Sequence, residues 1–176
     1  MNVDAIAIGE SFTLYLDSRG KVWSNGTRYH GQSIAQYKPT LIPYFKENNI
    51  RIKSIASGCN HNLALSDDGK VFSWGSDGPG CGREGDIAIP GMVDFGDEGV
   101  VTEEIQCGGT NSYCKSIDNK HYMFGSNWNY QCLDGTNDSI LRPTCINDKL
   151  LKLYPNKRVT SIVLGNNTTS FMVSVQ

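Results

Sequence analysis

The chain is 176 residues long and weighs 19.4 kDa, with 16 basic and 18 acidic side chains and a formal net charge of −2. Hydrophobic residues make up 39% and charged residues 19%, which is enough to bury a core and excludes a charge-driven disordered segment. The near-zero charge argues against a tight non-specific grip on nucleic acid, and without an 18-residue apolar run no membrane-spanning helix is expected.

The opening MNVDAIAIGES lacks the basic and long apolar regions of a secretory signal, so an intracellular globular protein is expected. Reading onward, IAIGESFTLYLDSRGKVWSNG runs from Ile6 to Gly26. Alternation in SFTLYLD predicts a packed strand, SRG a tight turn, and KVWSNG a second strand rich in aromatic and β-branched residues. KPTLIP around Pro39 then suits the start of an outer edge strand, where a missing N–H breaks no ladder. The same order returns in IASGCNHNLALSDDGKVFSWG from Ile55 to Gly75, followed by AIPGMV around Pro90. It returns again in IQCGGTNSYCKSIDNKHYMFG from Ile105 to Gly125, followed by RPTCI around Pro143. A fourth, partial copy, IVLGNNTTSFMVSVQ, runs from Ile162 to Gln176.

Gly9, Gly58 and Gly108 correspond, as do Gly26, Gly75 and Gly125, at offsets of 49 and then 50 residues; Gly165 lies 57 residues after Gly108. Repeats are therefore expected at about 4–50, 51–100, 101–157 and 158–176. The Ile-, Val- and Ala-rich segment opening each copy is expected to lie innermost. DKLLKLYPNKR allows one or two helical turns before Pro155, and no longer helix is predicted. Four short strands per copy, stacked side by side, specify an all-β fold of β-propeller blades, three full and half of a fourth.

The second copy resembles the repeat of the regulator of chromosome condensation family, the RCC1-like repeats. It supplies Gly58, His61, Ala64, Leu65, Asp68, Gly69, Phe72, Trp74 and Gly75 of that pattern. The first copy has Phe12 for the histidine and Asn25 before Gly26, and keeps Gly31 and Gln32 of the turn that follows. The third has Asn111 or Ser112 near the histidine slot, Asn119 for the glycine and Phe124 before Gly125, with Gln131 and Leu133 in the turn region. The resemblance implies a seven-bladed ring, roughly 350 residues at about fifty per blade, so this chain answers to about half of one. It is then an excised piece, a short member that pairs with a second copy or another chain, or an open arc within a larger assembly.

Candidate chemistry is sparse. His61 could act as a general base, but is expected to bridge groups between blades. Trp23 and Phe72 share a strand position, which packing between blades explains. Trp128 and Tyr130, in SNWNYQC, are candidate partner contacts, as are Asp94, Asp97 and Glu98 in DFGDEG, which departs from the EF-hand calcium pattern. The segment Ser76–Asp86 is glycine-rich but lacks the Gly-Lys-Ser/Thr ending of a phosphate loop. KLLKLYPNKR carries four cations, a weak sign of an acidic partner. Six cysteines without a CxxC pair, and three histidines not spaced for zinc, point to free thiols. No catalytic residue, metal or cofactor is assigned. Gly9, Gly26, Gly58, His61, Gly69, Trp74, Gly75, Gly108, Gly125 and Gly165 are read as structural positions of the repeat. The expected function is a non-enzymatic protein-interaction or scaffold module, cytoplasmic or nuclear, whose partner is a protein: a second copy, or the remainder of the propeller. The alternative that the resemblance implies is guanine-nucleotide exchange on a small GTPase.

Overall fold

The computed structural model describes residues 2–26, 36–75, 78–83, 87–97, 99–166 and 168–175. Its first four strands, β1 (Val3–Ile8), β2 (Phe12–Asp17), β3 (Val22–Gly26) and β4 (Gln36–Leu41), form one antiparallel sheet in chain order. The second sheet repeats that order with β5 (Ile52–Ser57), β6 (His61–Ser66), β7 (Val71–Gly75) and β8 (Gly91–Met92), and the third with β9 (Thr102–Cys107), β10 (Asn111–Ser116), β11 (His121–Gly125) and β12 (Ile140–Cys145). A hairpin of β13 (Lys157–Leu164) and β14 (Thr169–Val175) follows. These are three four-stranded blades and the first two strands of a fourth.

Alternation assigns each strand's two faces to two neighbours. Phe12, Leu14 and Leu16 point forward into a cluster closed by Ile52, Ala64, Phe72 and Trp74 of the second blade. Leu63 and Leu65 point forward onto Ile105, Cys114, Tyr122 and Phe124 of the third. Tyr113 and Met123 do the same against Val159 and Ile162. The core is thus a series of slabs between blades.

The opening strands of adjacent blades touch along one edge, so they lie innermost. Two sets of backbone hydrogen bonds tie the blades there. Ile52 N–H donates to the Gly20 carbonyl (3.0 Å) and Thr102 N–H to that of Gly69 (2.9 Å). At the other end Glu10 N–H donates to Cys59 O (3.1 Å), and Cys59 N–H to Gly109 O (2.7 Å). The hairpin between second and third strands needs a left-handed residue, which Gly20 (φ 74°), Gly69 (φ 82°) and Asn119 (φ 60°) supply. Asn is the ordinary side chain that best tolerates that geometry, so the third copy keeps its turn without glycine.

Three differences from the sequence reading have local causes. Pro39 and Pro143 sit inside the outer strands β4 and β12 rather than at their starts; an edge strand has one unpaired side, where a missing N–H costs nothing. The outer strand of the second blade has two residues, because the Arg83 guanidinium donates to the Ser73 carbonyl (3.1 Å) beside the Ser73–Gly91 pair. Short helices also appear: α1 (Pro43–Glu47), α2 (Gly78–Cys81) and α3 (Asn147–Leu153), the last ending just before Pro155 as expected. Phe45 of α1 is buried and meets Phe72 and Trp74 edge-on, with both centroid separations 5.7 Å.

Candidate interaction face

Strand direction divides the loops between two faces. The turns after first strands and the loops between third and fourth strands share one face, here the upper. The short hairpins and the blade-to-blade crossovers share the lower.

On the upper face, Gly9, Gly58, Gly108 and Gly165 each lie beneath the side chain three residues on: Phe12, His61, Asn111 and Thr168. A Cβ at any of these glycines would strike that side chain. His61 is fully buried, and its Nε2 is 2.9 Å from Ser112 Oγ of the third blade. Ser112 has one hydroxyl proton, and it goes to the Gly80 carbonyl at 2.8 Å. Nε2–H is therefore the donor to Ser112. The chain of bonds runs from the second blade to the third and back to α2, which places His61 between blades and away from solvent. Gly26, Gly75 and Gly125 end their strands against the backbone of the preceding turn, with Asn111 Cα only 2.5 Å from a Cβ built on Gly125. Trp74 is fully buried between the first and second blades.

Trp23 departs from its expectation. Phe72, at the equivalent position, is buried against the first blade, but Trp23 is on the outer flank of the first blade, where its indole N–H donates to Asp17 Oδ2 (2.9 Å). On that flank Ile6 is 57% and Ile8 74% exposed, although Ile55 and Ile105, which match Ile6, pack into the slabs. Behind the two isoleucines, Tyr15 O–H donates to Asn25 Oδ1 (2.9 Å).

The loop after β11 is pinned from within. Asn127 is fully buried; its Nδ2 donates to Asp134 Oδ1 and to the Thr136 carbonyl, both at 2.8 Å, and its Oδ1 accepts from Cys132 N–H at 2.8 Å. Thr136 closes the ring by donating its N–H (2.9 Å) and hydroxyl (2.8 Å) to Asp134. Burial acts to raise the Asp134 pKa, but these hydrogen bonds outweigh it and hold the carboxyl below its ordinary range. Trp128 and Tyr130 project from this frame, 75% and 60% exposed.

Asp94 and Asp97 lie on the lower face, in the crossover between second and third blades, so the two groups of expected contacts do not meet. Asp94 accepts from Gly96 N–H (2.8 Å) in a local turn, and Phe95 beside it packs edge-on against Tyr122 at 5.0 Å. Glu98 and, within Ser76–Asp86, residues 76–77 and 84–86 fall outside the described residues. Among the cysteines, Cys81, Cys114 and Cys132 are buried and Cys145 is exposed. Burial pushes the Cys114 thiol well up and that of Cys132 to about 12, which suppresses thiolate chemistry there. Among the described residues no group of His, Cys, Asp and Glu is placed to hold a metal, and no helix is long and apolar enough to cross a membrane.

The stacked four-stranded sheets, with their recurring glycines and interblade slabs, define part of a β-propeller. The Regulator of chromosome condensation (RCC1) repeat matches residues 52–83. Protein pim1 of Schizosaccharomyces pombe is 30% identical over 176 residues, covering 86% of this chain and 32% of pim1. Human WBSCR16 superimposes with a TM-score of 0.79 at 21% identity, over 97% of this chain and 45% of its own. Prp20p of Saccharomyces cerevisiae, described together with its binding to Gsp1p and histones, gives 0.76 at 21% identity, over 99% of this chain and 44% of its own. The chain thus spans about a third of that curated relative and under half of each solved structure. It belongs to the RCC1-like repeat family and covers part of the family's propeller.

Proposed function

We propose that this chain is a non-catalytic protein-interaction module, working in the cytoplasm or nucleus, whose outer flank on the first blade receives a further blade of the same repeat type. The open flank carries this reading: Ile6 and Ile8 are exposed, while Ile55 and Ile105, which match Ile6, pack into slabs. Apolar rows of this kind drive association when a complementary sheet is offered. The burial of His61 beside Ser112 favours a structural part for the residue best suited to acid–base chemistry.

Light scattering over a wide concentration range tests the flank, with wild type beside a variant carrying Ile6→Lys and Ile8→Lys. A larger species that the double variant abolishes supports the reading and identifies a second copy as one source of the added blade. Wild type and variant both monomeric at every concentration, with equal melting temperatures, would count against it. A second reading, exchange of guanine nucleotide on a small GTPase, is favoured by the likeness to Prp20p, described with its binding to Gsp1p. Saturable acceleration of nucleotide release by the chain or its assembly would support that reading, and release unchanged at saturating chain would remove it.

A further inference from the structure

Counting five residues on from Gly26, Gly75 and Gly125 gives Gly31, Gly80 and Tyr130. The third copy thus has a tyrosine where the other two have glycine, and it holds that tyrosine at φ 58°. A bulky side chain in left-handed backbone is locally unfavourable. No packing offsets this, because Tyr130 is 60% exposed and Trp128, two residues earlier in the same turn, is 75% exposed. Strain uncompensated by packing, at an exposed aromatic pair, marks a binding position rather than a folding one. The frame beneath is fixed: Tyr130 N–H donates to Asn127 O (2.8 Å), and Asn127 is locked to Cys132, Asp134 and Thr136. Across residues 126–139 the full charges are Asp134 and Asp138, with no lysine or arginine.

We propose that Trp128 and Tyr130 dock a positively charged, arginine-bearing segment of a protein partner; this deepens, and rests on, the reading of the chain as an interaction module. Aromatic faces attract guanidinium groups, and a planar guanidinium stacks where a compact ammonium cannot. Trp and Tyr supply large contact areas from side chains with few torsions to freeze, and a pinned loop lowers the ordering cost further. Two carboxylates add charge complementarity. Single-stranded nucleic acid also stacks on aromatics, but its phosphates would meet this acidic loop without a basic side chain to neutralise them.

The test uses the full chain at physiological salt and fluorescence anisotropy of a labelled peptide of alternating Arg and Ser. Versions with Lys, citrulline or Glu in place of Arg, and a labelled single-stranded oligonucleotide, run beside it. The Arg peptide should bind saturably, the Lys peptide several-fold more weakly, and the uncharged citrulline and acidic peptides not measurably. Trp128→Ala and Tyr130→Gly should each weaken binding about tenfold or more. Tyr130→Gly restores the residue type of the other copies, so its melting temperature should hold or rise, which separates lost docking from lost fold. Equal binding of the citrulline peptide, wild-type binding by Tyr130→Gly, no binding of the Arg peptide, or tighter binding of the oligonucleotide would each overturn the proposal. Because the flank variant leaves this loop untouched, peptide binding that fails while the flank-dependent assembly persists removes the docking proposal alone.

Discussion

Gly75→Ala is the substitution whose cost the geometry defines most directly. Gly75 ends β7 at φ 144°, and a Cβ there would lie 2.6 Å from His61 Cα and hard against the Asn60 carbonyl oxygen. Both are backbone atoms of the turn that carries His61, so no side chain can swing aside. Backbone strain at a glycine-favouring φ contributes about 1–3 kcal/mol. Displacing the turn adds about 1–3 kcal/mol, as overpacking does elsewhere. The expected loss is therefore about 2–6 kcal/mol, a large share of the roughly 5–15 kcal/mol that holds a typical domain together. Gly96→Ala is the matched control, since Gly96 also has a left-handed φ (75°) but nothing within 4 Å of its would-be Cβ. It should cost only the backbone part, about 1 kcal/mol. Urea unfolding followed by tryptophan emission reads both, because Trp74 is fully buried beside Gly75 and red-shifts on exposure. Equal destabilisation by the two alanines, or a Gly75→Ala loss below about 0.5 kcal/mol, would refute the steric argument.

Two further outcomes follow from the contacts. A double-mutant cycle of His61→Ala and Ser112→Ala should show a coupling of about 1 kcal/mol for the interblade hydrogen bond, whereas additivity within about 0.3 kcal/mol would deny it. Asp134 supplies a pH dependence. Its folded pKa is below the ordinary 3.8, so above that value the carboxylate contributes its full stability, and the contribution is lost as pH falls through the folded pKa. The stability gap between wild type and Asp134→Asn should accordingly be constant at neutral pH and shrink below about pH 3.8; a gap that persists at pH 2 would contradict the assignment.

The fold was legible because its requirements are local. Each copy needs alternation to give two buried faces, a left-handed residue in the hairpin, and a strand end without a Cβ, and all three appear in the amino-acid order. Contacts across space were not legible. Arg83 shortens β8 by occupying the Ser73 carbonyl, a contact ten residues back with no periodic signature. The five residues of α1 are too few to show a 3.6-residue period, yet they bring Phe45 into the first slab. Trp23 and Phe72 are equivalent in sequence and differ in surroundings, because equivalence within a repeat says nothing about what packs against each position: Phe72 meets the first blade, and Trp23 is paired with Asp17 of its own blade. For the candidate contacts, residue type suggested exposure, while strand parity decides that Trp128 and Asp94 face opposite ways.

The variation within this chain follows the mechanics of the blade. Ties between neighbours run along the inner edge, through the Gly20, Gly69, Cys59 and Gly109 carbonyls, and use backbone atoms that any substitution other than proline leaves in place. Loops between third and fourth strands are not part of these backbone ties, so Arg83 can replace part of an edge strand, and Tyr130 can replace a glycine, while the ties stay in place. The outer flank shows the same division on a sheet face. Its innermost strand presents Ile6 and Ile8 in the register of the slabs, whereas farther out Tyr15 is paired with Asn25 and Trp23 with Asp17. A blade arriving on this flank would gain its apolar burial at the inner strand and would meet, farther out, polar groups that already have partners and need not be re-paired. That arrangement avoids the penalty of burying unsatisfied donors, and it concentrates the energetic requirement on the two isoleucines, which is why the paired lysine substitution there is the decisive perturbation.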